Sequence, residues 1–291
     1  MSSYHSPLRY PGGKTKLTEY VKALFRHNKL MGGQYVEPYA GGASSALELV
    51  IQEYADHVHI NDIDRSVWSF WDAVLNNTEE LCRRIRNTPV NMDVWYAQKE
   101  VQKNKVDSES IDLAFSTFFL NRTNRSGILN AGVIGGKNQT GNFKIDARYN
   151  KDDLIKRIEL ISEHRSHISL YNMDALEFLR SRVAHLEKKT LIYLDPPYYV
   201  KGGDLYEHHY KHADHAAVAE ESKKIKQYCM VSYDDVPEIR KLYSSYQYVS
   251  YTLNYCAQNR YRGTEAIFLD NSLECPGLKA SMQANLLPAP Q

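Results

Sequence analysis

Residues 192–199 read Ile-Tyr-Leu-Asp-Pro-Pro-Tyr-Tyr, an apolar run halted by two consecutive prolines. Proline fixes φ at about −65° and carries no backbone N–H, so neither a helix nor a sheet ladder continues through the pair. This predicts a buried strand over Leu191–Leu194 that ends in a stiff turn, Asp195-Pro196-Pro197-Tyr198. The turn offers a carboxylate, carbonyl acceptors and an aromatic face. Such a set suits a planar base bearing an amino group, with acceptors for the amine hydrogens and a ring to stack on. The same four residues also make an ordinary strand-ending turn with a buried aspartate and a packing tyrosine. The rest of the chain decides between these readings.

Strand-like and helix-like runs alternate at both ends of the chain. Tyr35–Tyr39, Val58–Asp62, Ile168–Tyr171, Leu191–Leu194 and Cys229–Tyr233 read as strands, with helices over Leu17–Phe25, from Ser44 or Ser45 through Glu53, and up to Ser181. Tyr248–Asn254 and Glu265–Leu269 read as a terminal antiparallel pair around a turn at Arg262-Gly263. This pattern predicts an α/β fold, a mostly parallel sheet covered by helices. Residues 66–162 interrupt it with helical periodicity and then a glycine-rich basic stretch. They are expected to form a separate, inserted lobe, leaving 1–65 and 163–271 as one discontinuous sheet domain and 272–291 as a flexible tail.

Composition excludes several classes. Apolar stretches fall well short of the roughly 18 residues of a membrane span, and the N-terminus lacks a signal pattern. Cys82, Cys229, Cys256 and Cys275 are far apart with no Cys-x-x-Cys pair, which suits reduced cytosolic thiols rather than disulfides or zinc. The net charge of +1 says nothing about nucleic acid, but the local charge does. Between 120 and 151, Arg122, Arg125, Lys137, Lys144, Arg148 and Lys151 face a single acid, Asp146. Residues 82–105 carry a second basic excess. Each segment is either a solvated face or a nucleic-acid footprint.

The segment Glu37-Pro38-Tyr39-Ala40-Gly41-Gly42-Ala43-Ser44 follows the first strand, and an acid, Asp62, stands about twenty positions after Gly41 at the end of the next. Doubly wound sheets hold adenosine this way: glycine permits close backbone approach, and the acid accepts from ribose hydroxyls. Asp62 and Asp64 are also plausible helix caps. The loop lacks the three glycines of a pyrophosphate cradle and is preceded by Pro38-Tyr39, which fits S-adenosylmethionine better than a dinucleotide. A second glycine turn, Tyr10-Pro11-Gly12-Gly13-Lys14, either starts a helix or brings Lys14 to a cofactor carboxylate.

Taken in order, Tyr10-Pro11-Gly12-Gly13-Lys14, Val36 to Ser44, Asp62, Asn121-Arg122 with Ser126-Gly127, and Asp195-Pro196-Pro197-Tyr198 resemble the motifs of the Dam-like (D12 class) site-specific DNA N6-adenine methyltransferases. The resemblance runs from about residue 7 to 270, with the alpha-group order of cofactor motifs, recognition lobe and catalytic tetrapeptide. It implies a Rossmann-like S-adenosylmethionine-dependent sheet with an inserted, mainly helical DNA-recognition domain. It places Tyr10, Lys14, Glu37, Pro38, Tyr39, Ala40, Gly41, Ser44, Asp62, Asp174 and Asp195 at the cofactor. Asp174 reads equally well as a helix cap. It implies S-adenosylhomocysteine as product, duplex DNA as partner, a monomer or weak dimer, no metal and no membrane. The enzyme is then free-standing or paired with a separate restriction endonuclease, in the cytoplasm or nucleoid of a bacterium or phage host.

The chemistry implied by the resemblance is positioning. Asp195 and the Pro196 carbonyl accept hydrogen bonds from the exocyclic amine of a flipped adenine, Pro197 stiffens the turn, and Tyr198 stacks on the base. Cytosine N4, RNA, and a catalytically silent DNA-binding regulator are the alternatives. In family members that read GATC, a tyrosine follows the Asn-Arg pair by three positions, and an arginine stands eight after its Arg. Here those places hold Arg125 and Asn130, so a different target is expected, with Arg122, Arg125, Asn130 and Lys137 on the DNA face. The run Glu207-His208-His209-Tyr210-Lys211-His212-Ala213-Asp214-His215 has helical histidine spacing but no cysteine to complete a zinc site. It reads as an active-site loop, with Asp214 as N-cap of the next helix.

Overall fold

A computed structural model of the chain describes residues 5–9, 14–200, 210–255 and 261–276. Its strands are β1 (Gly33–Glu37), β2 (Ala55–Asn61), β3 (Ile168–Tyr171), β4 (Thr190–Leu194), β5 (Tyr228–Asp234), β6 (Gln247–Tyr255) and β7 (Tyr261–Leu269). They form one seven-stranded sheet in the order β3-β2-β1-β4-β5-β7-β6. The first five are parallel; β7 runs antiparallel to β5, and β6 antiparallel to β7.

Central strands buried on both sides need apolar residues at consecutive positions, and these have them. Tyr35, Leu191, Tyr193 and Met230 enter the core under α1 (Lys14–His27) and α2 (Ser44–Ile51). Their neighbours Val36, Ile192, Leu194 and Val231 enter the opposite core. That second layer comes from α8 (Ala175–Ser181), α9 (His212–Ser222) and α10 (Pro237–Leu242).

Between β2 and β3 the chain adds α3 (Arg65–Asn76), α4 (Thr78–Asn87), α5 (Met92–Lys103), α6 (Ser110–Thr123) and α7 (Lys151–Glu163). Every side chain of α6 from Leu113 to Asn121 is buried, so α6 is the axis of this insertion rather than an amphipathic surface helix. The insertion is not walled off from the sheet. Phe70, Trp71, Phe118 and Phe119 belong to the same continuous core as Tyr35 and Leu191.

Three boundaries differ from the sequence reading. The α2 helix stops at Ile51, because Glu53 takes a left-handed φ of 58° and the Tyr54 N–H turns back to the Leu49 carbonyl. Arg262 and Gly263 lie inside β7, paired with Asn254 and Leu253, so the β6–β7 connection falls at 256–260, outside the described residues. The start of the expected tail packs on α1. Leu273 is buried, Asn28 exchanges hydrogen bonds with the Glu274 backbone, and the Tyr20 hydroxyl meets the Cys275 sulfur at 3.3 Å.

Candidate active site

In this sheet the chain builds outward from β1 in one direction and from β4 in the other. The two neighbours therefore part at their carboxyl ends, and the loops after them wall a crevice where doubly wound sheets bind ligands. The segment 38–43 leaves β1 and Asp195-Pro196-Pro197-Tyr198 leaves β4, so both motifs reach that crevice.

On the β1 side the glycine loop is held from below. Gly41 (φ 47°) and Ala43 (φ 48°) are left-handed, and the Ala40 N–H donates to the Asn61 carbonyl. The Gly41 N–H donates to Asp62 Oδ2 at 2.9 Å while the Asp64 N–H donates to Oδ1 at 2.9 Å. Asp62 is therefore an acid at the rim whose orientation is set by two amides. The cap of α3 is Asp64, whose side chain accepts from the Ser66 N–H. The Gly41 carbonyl accepts from the Trp71 indole at 2.9 Å, which fastens the loop to the insertion. Asn61 is fully buried; its amide donates to the carbonyls of Pro38 and Met173 and its oxygen accepts from the Met173 N–H. That bridge was not anticipated, since an asparagine ending a strand carries no sequence signal of its own.

Glu37 is buried and serves α2. Its Oε1 accepts from the Ala46 N–H and from the Tyr35 hydroxyl, supplying the end of a helix whose own N-cap, Ala43, has no side-chain acceptor. Ser44 opens α2, and Tyr39 meets Tyr210 edge-on with hydroxyls 3.2 Å apart. Asp174 takes the capping role, accepting from the N–H groups of Leu176 and Glu177 at the start of α8.

On the β4 side Asp195 Oδ1 accepts from the Ser232 hydroxyl of β5 at 2.8 Å, and Ser232 lies 2.7 Å from the buried Tyr193 hydroxyl. Burial, then the Asp195 carboxylate, push the Tyr193 phenol well above the usual tyrosine range, so it stays protonated. The Tyr198 hydroxyl donates to Glu265 of β7 at 2.8 Å, and Glu265 is itself buried. Asp234, ending β5, accepts from the N–H groups of Tyr199 and Val200 and so receives the chain just past the double proline. Ser232, Asp234 and Glu265 come from the far half of the sheet, and only tertiary structure brings them to the tetrapeptide.

Tyr10 lies outside the described residues. Lys14 begins α1, with its side chain outside the description. Asn121, buried at the end of α6, accepts from the Arg9 N–H at 2.7 Å and donates to the carbonyls of Arg9 and Gly127. It ties the N-terminal segment to the insertion. Arg122 is half-buried and donates to the Arg148 and Pro7 carbonyls. Burial, then the neighbouring Arg9 and Arg157 charges, lower its guanidinium to about 10. It is thus a strut of this seam, whereas Arg125, Asn130 and Lys137 are exposed. The loop carrying Arg125 and Asn130 closes through the Asn124–Val133 bridge and is filled by the Asn124 amide, which donates to the Ile128 and Leu129 carbonyls.

His208 and His209 fall outside the described residues. His215 is buried against Tyr233, and His212 contacts the Tyr199 hydroxyl. Among the described residues no cluster of three His, Cys, Asp or Glu side chains could hold a metal ion, and no helix is long and apolar enough to cross a membrane. Asp214 is not the N-cap: α9 starts earlier, Lys211 is the cap, and Asp214 accepts the Lys211 N–H from the third helical position.

The loop after β1 therefore presents a fixed acid beside a left-handed glycine and no triple-glycine phosphate nest, with Tyr39 held edge-on to Tyr210. That donor set fits an adenosine carrying a thioether or sulfonium rather than a pyrophosphate. Distant likenesses among solved structures include an rRNA methyltransferase from Streptomyces viridochromogenes, at 11% identity, covering 93% of this chain and 89% of that one, TM-score 0.40. A protein provisionally named an RNA methyltransferase, from Pyrococcus horikoshii, shares 11% identity over 90% of this chain and 84% of its own, TM-score 0.44. No curated protein sequence gives a significant match. The model of the D12 class N6 adenine-specific DNA methyltransferases matches residues 10–255, and the chain belongs to that family of S-adenosylmethionine-dependent methyltransferases.

Proposed function

We propose that the chain moves a methyl group from S-adenosylmethionine to the N6 amine of an adenine flipped out of duplex DNA. The observation that carries this reading is Asp195 at the mouth of the β1/β4 crevice, its carboxylate held by Ser232 and its tetrapeptide anchored through Tyr198 to Glu265.

Asp62 would accept the ribose hydroxyls of S-adenosylmethionine, Gly41 would permit close approach, and Tyr39 would flank the methionine part beside Tyr10 and Lys14. The cofactor supplies an electrophilic methyl on a sulfonium. The chain's residues must then present a poor nucleophile, an amine whose lone pair is delocalised into the purine ring. Asp195 and the Pro196 carbonyl accept its two hydrogens, which favours a more tetrahedral nitrogen with its lone pair turned toward the crevice. Negative charge at Asp195 stabilises the positive charge that grows on nitrogen as the methyl parts from sulfur, and the methylated amine then sheds one of its two hydrogens to solvent as a proton. Tyr198, fixed at its hydroxyl, offers a stacking face that offsets the few kcal/mol of unstacking. Residues 1–65 and 163–271 are read as the catalytic unit and 66–162 as the recognition unit, acting on bacterial or phage DNA with or without a companion restriction endonuclease.

The test is transfer of labelled methyl to duplex DNA, followed by identification of the modified base. N6-methyladenine in DNA supports the reading. N4-methylcytosine, label entering RNA alone, or DNA binding without transfer replaces it with one of the alternatives. Asp195→Ala is expected to abolish transfer while the protein stays folded.

A further inference from the structure

We propose that Ser232, backed by Tyr193, is a positioning residue for methyl transfer: the two hydroxyls form a directed relay that sets the rotation of the Asp195 carboxylate. The inference rests on the role given to Asp195 above and adds two residues outside the tetrapeptide.

The direction of the relay follows from hydrogen counting. An ionised carboxylate only accepts, so the 2.8 Å contact from Ser232 Oγ to Asp195 Oδ1 spends the serine's single hydrogen. The 2.7 Å contact between Ser232 and Tyr193 must then run from the phenol to the serine oxygen. Tyr193 and Ser232 are 2% and 4% exposed, so bulk water does not compete for these bonds. Strand alternation puts all three on one face: Tyr193 two residues before Asp195 along β4, and Ser232 on the adjacent β5.

The geometry has a consequence for catalysis. A terminal carboxylate torsion is broad and roughly two-fold, so an aspartate at the end of a strand samples many orientations unless something pins it. The adjoining prolines stiffen the backbone but leave the side chain alone. A hydroxyl donated from a neighbouring strand restrains that freedom at Oδ1, and the hydroxyl is in turn aligned by a phenol locked in the core. Reaction rates fall steeply when a reacting partner is misplaced, whereas a rotated carboxylate still offers an oxygen to whatever it binds, so the relay should act mainly on turnover.

Ser232→Ala, Ser232→Thr and Tyr193→Phe test this, with kcat, the dissociation constants for S-adenosylmethionine and DNA, and thermal unfolding measured for each. Ser232→Ala should lower kcat by about 10–100-fold with both dissociation constants within about twofold of wild type. Tyr193→Phe, which keeps the ring, should give a smaller loss, about 3–10-fold. Ser232→Thr should recover most of the turnover lost in Ser232→Ala. A kcat for Ser232→Ala within about threefold of wild type overturns the proposal. So does a loss shared equally by kcat, cofactor affinity and stability, because that marks a packing role. If the wild-type protein transfers no methyl to DNA, the functional reading fails on its own. Crystal structures of wild type and Ser232→Ala then decide the relay: an Asp195 carboxylate turned by tens of degrees upholds it, and an unchanged torsion overturns it.

Discussion

Gly127 lies directly under the backbone carbonyl of Arg9: a Cβ at position 127 would come within 2.3 Å of that oxygen. Its φ of 77° adds a conformation that residues with side chains rarely adopt. Both constraints fall on the seam where Asn121 fastens the N-terminal segment to the insertion. Gly127→Ala is therefore expected to cost about 3 kcal/mol, from backbone strain and overpacking together. The seam leads into Tyr10–Lys14, so the soluble variant should also bind S-adenosylmethionine more weakly. Chemical denaturation curves that superimpose on wild type would show that the two segments part easily.

Asp62 is the acid whose orientation is set by two amides, from Gly41 and Asp64. Removing the carboxylate takes away the acceptor proposed for the ribose and loosens the glycine loop. Asp62→Ala should weaken S-adenosylmethionine binding by about 1–3 kcal/mol, the usual loss for a charge-assisted contact. Asp62→Asn keeps one oxygen acceptor and should lose less. Calorimetry that finds wild-type affinity in Asp62→Ala would remove this residue from the cofactor site.

The bond from Tyr198 to Glu265 separates two contributions of one tyrosine. Tyr198→Phe keeps the stacking face and deletes the anchor, so single-turnover transfer should slow by about fivefold, near 1 kcal/mol. Tyr198→Ala removes the face as well and should lose about another 5- to 150-fold, since stacking on a base contributes about 1–3 kcal/mol. Equal rates for the two variants would mean that the ring does not meet the substrate.

A pH dependence comes from the other face of the sheet. His59 is buried between Tyr171 and Gln34, its ring tilted against that of His57 with centroids 4.8 Å apart. Burial, then the His57 charge, lower its imidazole to about 4. The unfolded chain, with an ordinary value of about 6.5, binds this proton first, so protonation pulls toward unfolding. Stability should fall as pH drops from about 6.5 toward 4, by at most about 3 kcal/mol from this group, and should be flat in its contribution above 7. Denaturation midpoints for wild type and His59→Gln, compared at pH 4.5 and 7.5, measure it. An identical wild-type-to-variant difference at both pH values would remove His59 as the source.

What was legible in the sequence divides along physical lines. The parallel strands could be read because a strand buried on both faces needs an unbroken apolar run, and the Asp195 turn because two prolines leave the chain little choice. Asn121 and Gly127 were visible as motif letters, but their reason was not. It depends on Arg9, more than a hundred residues earlier, passing within contact distance. Ser232 and Glu265 gave no signal, because a serine or glutamate inside a strand looks like any alternating polar position until the strand order sets it beside Asp195 and Tyr198. Glu37 and Asp174 carry a second role that the motif letters alone do not separate from the first: the resemblance places both at the cofactor, and in the fold each also accepts from backbone N–H at the start of a helix.

The exposed loop that follows α6 bears on which DNA sequence is read. In relatives that recognise GATC, the places three and eight residues after the arginine of the Asn-Arg pair hold tyrosine and a guanine-reading arginine. Here they hold Arg125 and Asn130, both exposed, on a loop closed by the Asn124–Val133 bridge. Asparagine pairs bidentately with adenine and arginine with guanine, so this exchange should change readout by about 1–3 kcal/mol at one base pair. Methylation mapped in genomic DNA from cells producing the protein should therefore fall at a motif other than GATC. Asn130→Arg should shift preference toward guanine at one position. Arg122→Ala should behave differently, since that side chain braces the Pro7 and Arg148 carbonyls, and should lower stability more than it alters the motif. Full methylation at GATC would refute the loop assignment and leave the roles of Asp195 and Tyr198 untouched.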